Sequence, residues 1–206
     1  GVDLAGVGEG LQDHPSFPVT IRLHEHLWLD PATPAVTALL RRTFRRPNDL
    51  QVLAMDDASP DMPGLGVLMV AAMKCTSRGV VTADTIDFRM LSTAADADTL
   101  DAGVQELARL VEQPAVQALG EVLPFDMSEQ GVLAAVGDYV HAVGTCRMGV
   151  DDDAVVDPWC RVHQHERLWV CDASVMPTVP RANTHWPTMM IAERISERID
   201  AELAER

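Results

Sequence analysis

The sequence predicts an α+β fold, and three observations carry that reading. Short apolar runs of strand length, above all residues 66–74, are separated by turn residues such as Ser77-Arg78-Gly79. A helical period runs from Leu100 through Val104 and Leu107 to Val111. A second places Met190, Ile191, Ile195, Ile199 and Leu203 on one stripe, with Glu and Arg opposite. A length of 206 residues suits one ordinary domain or pieces of two, and a 47% hydrophobic content is enough for a packed core.

In chain order, the opening carries Gly at positions 1, 6, 8 and 10 and reads as loop, with backbone that needs positive φ or a close approach. Gly6-Val-Gly8-Glu-Gly10 is not a phosphate cradle, because it runs straight into Gln-Asp-His-Pro15 rather than opening a helix. Residues 17–23 alternate loosely, as a strand does, and end in His24-Glu-His26. Residues 34–44 read as a short helix with a basic end (Arg41, Arg42, Arg45, Arg46), stopped by Pro47. A strand over 48–55 follows, then an acidic, Pro-rich loop through Gly64. After the apolar strand 66–74, residues 77–79 turn the chain and 80–82 return as its hairpin partner. Asp96 and Asp98 precede the first helix, which ends before Pro114. From Val155 on come short strands with tight turns: Val155-Val156, Arg161-Val162-His163 and Leu168-Trp-Val-Cys171. The last helix starts at Pro187, where a missing N–H costs nothing, and runs to about Ala204.

Thirty-one acids against 16 bases give a net charge of −15. That balance excludes nucleic acid and anionic membrane surfaces as partners, since both reward clustered Lys and Arg. No run approaches the ~18 apolar residues of a membrane span. The four cysteines form no CxxC pair, and a chain this long has no need of disulfide staples, so a reducing cytoplasm is expected. There is no initiator Met and no secretion signal near Gly1, and the expectation is a chain cut at its N-terminus.

Seven histidines are candidates for chemistry. His24-x-His26 and His163-x-His165 share a strand face and could chelate, but neither has a carboxylate and cysteine set at metal-site spacing, and no metal is expected. His141 stands before Gly144-Thr-Cys-Arg-Met-Gly149, a small-residue turn suited to a backbone passing close to a ligand. His185 lies in Ala182-Asn-Thr-His-Trp-Pro-Thr188, just upstream of the last helix, whose first N–H groups offer positive potential. Two histidines beside two such loops suit an acid–base pair. Hydrolase readings are weaker: there is no GxSxG elbow, and Cys146 five residues from His141 does not establish a nucleophile–base contact.

Three stretches, taken together, resemble the glucose–methanol–choline (GMC) oxidoreductase family: Gly6-Val-Gly-Glu-Gly-Leu-Gln-Asp-His-Pro15; His141-Ala-Val-Gly-Thr-Cys-Arg-Met-Gly149 with Val155-Val-Asp157 and Arg161-Val162; and Leu168-Trp-Val-Cys-Asp-Ala-Ser-Val-Met-Pro177 through Asn183-Thr-His-Trp-Pro-Thr-Met-Met190. Their order and spacing both match. The resemblance implies an alcohol-oxidising flavoenzyme whose cofactor is FAD. In it His141 would take the hydroxyl proton while hydride passes to the flavin, and His185 would hydrogen-bond the substrate oxygen. Asp172 and Ala173 would lie along the ribityl–phosphate chain, and Trp186, Pro187 and Thr188 would approach the ring. Asp13 and His14 would belong to the loop that covers FAD.

The implied organisation is an FAD-covering loop (1–18), an antiparallel-sheet substrate-binding domain (19–134) and a catalytic, flavin-contacting segment (135–206). That last segment would supply the C-terminal strand and helix of an FAD-binding Rossmann-like domain. The N-terminal dinucleotide-binding part is missing from this sequence. The implied partners are a small-molecule alcohol and an electron acceptor, either oxygen or a redox carrier. The alternative is a truncated binding module that cannot hold FAD alone.

Overall fold

A computed structural model describes residues 3–28, 36–56 and 64–204. In chain order it contains β1 (Glu9–Leu11), β2 (Ser16–Leu23), β3 (Val36–Arg42), β4 (Leu50–Met55), β5 (Leu65–Ala72), β6 (Gly79–Val81), β7 (Ile86–Asp87), α1 (Ala94–Val111), α2 (Pro114–Gln117), β8 (Gly120–Val122), α3 (Glu129–Ala135) and α4 (His185–Ala204). The chain divides into two compact units: one of Gly1–His14, Cys75–Ser92 and Val140–Arg206, the other of Pro15–Lys74 and Thr93–Tyr139. The α+β class holds, and every paired strand is antiparallel to its neighbour.

The second unit is a five-stranded sheet, in the order β3-β4-β5-β2-β8, with α1 across one face. The side chain of Thr93 caps α1 by accepting from the Asp96 amide. Its apolar stripe is then laid onto β5, β4 and β2, and Leu100, Val104 and Leu107 are fully buried. Gly103 lets the helix sit close. A Cβ there would come within 2.6 Å of Val70 Cγ2 and 3.0 Å of Leu50 Cδ2.

Two expectations fail in this part of the chain. The segment read as a helix over 34–44 is the edge strand β3, paired with β4 from Val36↔Met55 to Arg42↔Leu50; residues 34 and 35 lie outside the described residues. The cause is the turn after it. The Asp49 carboxylate accepts from the backbone N–H groups of Phe44, Arg45 and Arg46 at 2.7, 2.8 and 2.7 Å, which folds the chain back into a hairpin. Burial works to raise the pKa of this carboxyl, but those donors outweigh it and hold it below the usual range. The acidic, Pro-rich loop lies mostly outside the described residues.

The second failure is β6, which does not return onto the 66–74 strand. It pairs with β1 and β7 in a three-stranded sheet of the first unit. Gln12 draws the chain there, its Nε2 donating to the Cys75 carbonyl at 2.9 Å. The short strands expected after Val155 are reduced to single bridges, Met148↔Val156, Val156↔Val162 and Arg161↔Trp169. Val155, Val156, Cys160, Val162 and Val175 nevertheless form a core against Ile195 of α4. Met190 and Leu203, at the ends of the α4 stripe, stay exposed. No helix among the described residues is long and apolar enough to cross a membrane.

Gly103→Ala tests the closeness of α1. Helix propensity alone favours Ala by about 1 kcal/mol. Overpacking against Val70 and Leu50 predicts instead a net loss of about 1–3 kcal/mol, read as a lower urea midpoint. A higher midpoint would mean that the helix has room to move away.

Candidate active site

The first unit brings the Gly-rich opening, the turn after His141 and the turn after Asp172 onto one another through the backbone. Gly8 N–H donates to the Thr145 carbonyl, and Gln12 and Val143 exchange N–H···O bonds of 2.9 Å in both directions. The Ser174 carbonyl accepts from the amides of Gly144 (3.1 Å) and Cys146 (3.0 Å). Gln12 completes the frame from inside, its side-chain oxygen accepting from Val179 N–H at 3.0 Å. The close approach anticipated at Gly144 is therefore made to the chain itself. Its φ is +96°, and a Cβ there would lie 2.4 Å from the Gly10 carbonyl oxygen.

This frame places Asp13, His14 and His141 together. One Asp13 oxygen accepts from the His14 amide at 2.6 Å, and the other accepts from the His141 amide at 2.9 Å. A single buried carboxylate thus fixes the backbone under both histidines. The His14 ring is wholly buried. Its Nδ1 lies 3.2 Å from Nδ1 of His141 and its Nε2 lies 2.9 Å from the Pro180 carbonyl oxygen. The two rings meet through their Nδ1 edges, with centroids 5.3 Å apart and planes at 88°. Burial lowers the His14 pKa from 6.5 to about 4, partly opposed by the Pro180 carbonyl and assisted by the neighbouring His141. Burial also lowers that of half-buried His141. Both are neutral imidazoles at pH 7.

Ligand atoms of Asp13, His14 and His141 all lie within 4.8 Å of one another, a spacing that could hold a metal ion. The hydrogen bonds favour the metal-free reading. Both carboxylate oxygens already serve backbone donors, and His14 Nε2 faces a carbonyl.

The other expected site residues lie elsewhere in the first unit. His185 is the first residue of α4 rather than a residue upstream of it; it is exposed, and its ring contact is with Trp186, 5.5 Å between centroids. Trp186 is 74% exposed. Thr188 turns inward, its amide and hydroxyl both donating to the Thr184 carbonyl, at 2.9 and 2.7 Å. Asp172 caps the short turn Ala173–Val175 by accepting from the Ser174 amide at 2.8 Å. Among the described residues, no hydrogen bond or ring contact joins His185 to His141. Gln12 and Pro180, which brace the His14–His141 pair, were not singled out from the sequence. A glutamine and a carbonyl carry no motif of their own, and only the fold reveals what they touch.

Residues 73–192 match the family model described as GMC oxidoreductase. A 5-(hydroxymethyl)furfural oxidase of Methylovorus sp. (strain MP688) is 30% identical over 96% of this chain and 44% of its own length. An oxygen-dependent choline dehydrogenase of Pseudomonas fluorescens is 28% identical, over 96% and 43%. Among solved structures, pyridoxine 4-oxidase from Mesorbium loti superposes with a TM-score of 0.76 at 22% identity, covering 96% of this chain and 44% of that one. A formate oxidase from Aspergillus oryzae RIB40, solved to study modification of its FAD, superposes with a TM-score of 0.83 at 18% identity, over 99% and 49%. The chain therefore spans less than half the length of the curated relatives it matches.

The burial of His14 makes stability depend on pH with a fixed sign. The unfolded imidazole takes its proton near pH 6.5, and the folded one only near pH 4. Between those values the unfolded chain binds more protons, so stability is complete above 6.5 and falls as the pH drops. About 2 kcal/mol should be lost between pH 7.5 and pH 5 through this residue. Urea unfolding at the two pH values measures it, and a His14→Gln variant should show a smaller difference. An equal loss in the variant would place the effect in other groups.

Proposed function

The chain belongs to the GMC oxidoreductase family, and on that premise we propose that it is the C-terminal, substrate-handling part of a flavin-dependent enzyme that oxidises an alcohol. His141 is the base. The observation that carries this reading is a neutral, half-buried imidazole whose main chain is fixed through the Asp13 carboxylate. Such a group accepts a hydroxyl proton without first losing one of its own, and its fixed position removes the cost of orienting it during reaction. His185, at the head of α4, donates a hydrogen bond to the oxygen as its negative charge grows.

FAD fits the residues present at its ring end. Trp186 (74% exposed) and Met190 (67% exposed) leave large apolar side chains uncovered in the first turns of α4, the kind of surface that a flat aromatic ring covers. The amide of Trp186 at the helix start would serve the ring's polar edge, as Pro187 cannot. Asp172 and Ala173 would hold the ribityl–phosphate chain, and Asp13 and His14 stand in the loop over the cofactor. The ADP end has no counterpart here, since no strand–GxGxxG–helix occurs in this sequence. The isolated chain is accordingly inactive in our reading. FAD, when bound, would supply the acceptor for the carbinol hydride, and oxygen or another small molecule would serve as the electron acceptor. With four free cysteines among the described residues and no membrane-crossing helix there, the cytoplasm is the proposed compartment.

In the complete protein, His141→Ala should lower kcat at least ~10²-fold, read as slower flavin bleaching by alcohol under anaerobic conditions. His185→Ala should cost a similar ~10²-fold, and His185→Asn, which keeps a donor, should recover much of it. Unchanged bleaching in His141→Ala would assign proton removal to another group.

A further inference from the structure

The buried pair His14–His141 carries more than a position. Nε2 of His14 lies 2.9 Å from the Pro180 carbonyl oxygen, and a carbonyl can only accept, so that nitrogen bears a proton. His14 is wholly buried and neutral at pH 7, so it has one ring proton and its Nδ1 is a bare lone pair. That lone pair lies 3.2 Å from Nδ1 of His141. Two bare nitrogens at this distance would repel, so the proton between them belongs to His141. His141 is neutral as well, and its single proton is thereby accounted for.

We infer that His14 is a positioning residue that fixes the tautomer of His141, accepting its Nδ1–H so that Nε2 of His141 keeps the lone pair that takes the substrate proton. The relay runs in one direction, from His141 Nδ1–H to His14 Nδ1 and from His14 Nε2–H to the Pro180 carbonyl. The fold holds each part of it. Asp13 sets the two backbones at a fixed spacing, and the 88° angle between the rings points the edge of one at the other. Free histidine in water favours the opposite tautomer, with the proton on Nε2, so the pair has work to do. A carboxylate partner would orient the ring too, but it would also favour the charged imidazolium. A neutral imidazole orients the base without promoting its protonation. The tautomer follows from the geometry alone; the role of Nε2 in catalysis rests on the reading of His141 as the base.

The test is ¹⁵N nuclear magnetic resonance of the complete protein labelled in histidine, with long-range ¹⁵N–¹H correlations to read each ring, and His14→Gln and His141→Gln variants to assign them. The expected spectrum at pH 7 shows His141 with its proton on Nδ1 and His14 with its proton on Nε2. His14→Leu, which can neither accept nor donate, should release His141 to the Nε2–H form and lower kcat about 10-fold with little change in KM. His14→Gln can accept from His141 and donate to Pro180, and it should restore both the Nδ1–H form and most of the lost turnover. An Nε2–H His141 in the unaltered protein overturns the inference. So does an Nδ1–H form that persists in His14→Leu, or a stoichiometric metal ion found by elemental analysis. Should His14→Leu fail to fold, the spectrum of the unaltered protein decides alone. If the tautomers are as stated but His141→Ala turns over normally, the relay stands and the catalytic reading of His141 falls.

Discussion

One buried carboxylate between two backbone amides organises the first unit. Asp13 accepts from His14, its neighbour in sequence, and from His141, 127 residues beyond His14. A buried carboxylate left without donors costs several kcal/mol, so its two amides cannot drift apart without exposing or stranding it. The surrounding hydrogen bonds all serve the same closure. Gln12 and Val143 pair backbone to backbone, the Gln12 side chain bridges the Cys75 carbonyl and the Val179 amide, and the Ser174 carbonyl binds the turn that follows His141. Arg78 adds a link from the surface, donating to the carbonyls of Gly10 and Pro177.

Chemistry follows from that closure because burial outweighs the opposing hydrogen bond from His14 to the Pro180 carbonyl and keeps the imidazoles neutral. Removing the rings from water disfavours their charged forms, and the contact between them is one that neutral rings can make. A base that is uncharged at neutral pH has its lone pair available for a substrate hydroxyl. The same arrangement costs stability in acid, where the folded state cannot accept protons that the unfolded chain takes up readily. The proposed function and the pH tolerance would both follow from one buried pair.

How much of this could be read from the sequence depended on the range of the interaction involved. The helix α1 was legible because its signals are local, a 3.6-residue apolar period and a proline just beyond its end; its start was not, since Thr93 caps it and Asp96 and Asp98, expected ahead of the helix, lie in its first turns. The edge strand β3 was misread as a helix because what decides it is Asp49, seven residues beyond the strand's end, gathering three amides into a turn. Of the glycines at 6, 8 and 10 read as loop with close approaches, Gly10 instead lies in β1 at a φ of +77° with no close neighbour for a Cβ, while for Gly6 and Gly8 the structure adds what is approached. At Gly6 it is the Asp153 carbonyl, where a Cβ would lie at 2.1 Å. Of the candidate site, His141 and His185 were singled out by the loops beside them and given roles by motif order, neither of which reports contact. The ring that touches His141 is His14, read from the sequence only as part of a covering loop. No period, spacing or composition joins two residues so far apart, and the fold alone brings them together.

The central claim is that His141 acts as a neutral base, and the pH dependence of flavin reduction in a single turnover tests it most directly. Mixing the complete protein anaerobically with excess alcohol isolates proton removal and hydride transfer from later steps. The account predicts a rate that rises with pH to a plateau, with an apparent pKa below the 6.5 of free histidine, and that loses this limb when His141 is replaced by Ala. A rate that falls with rising pH through that range, or a limb unchanged in the variant, would contradict it.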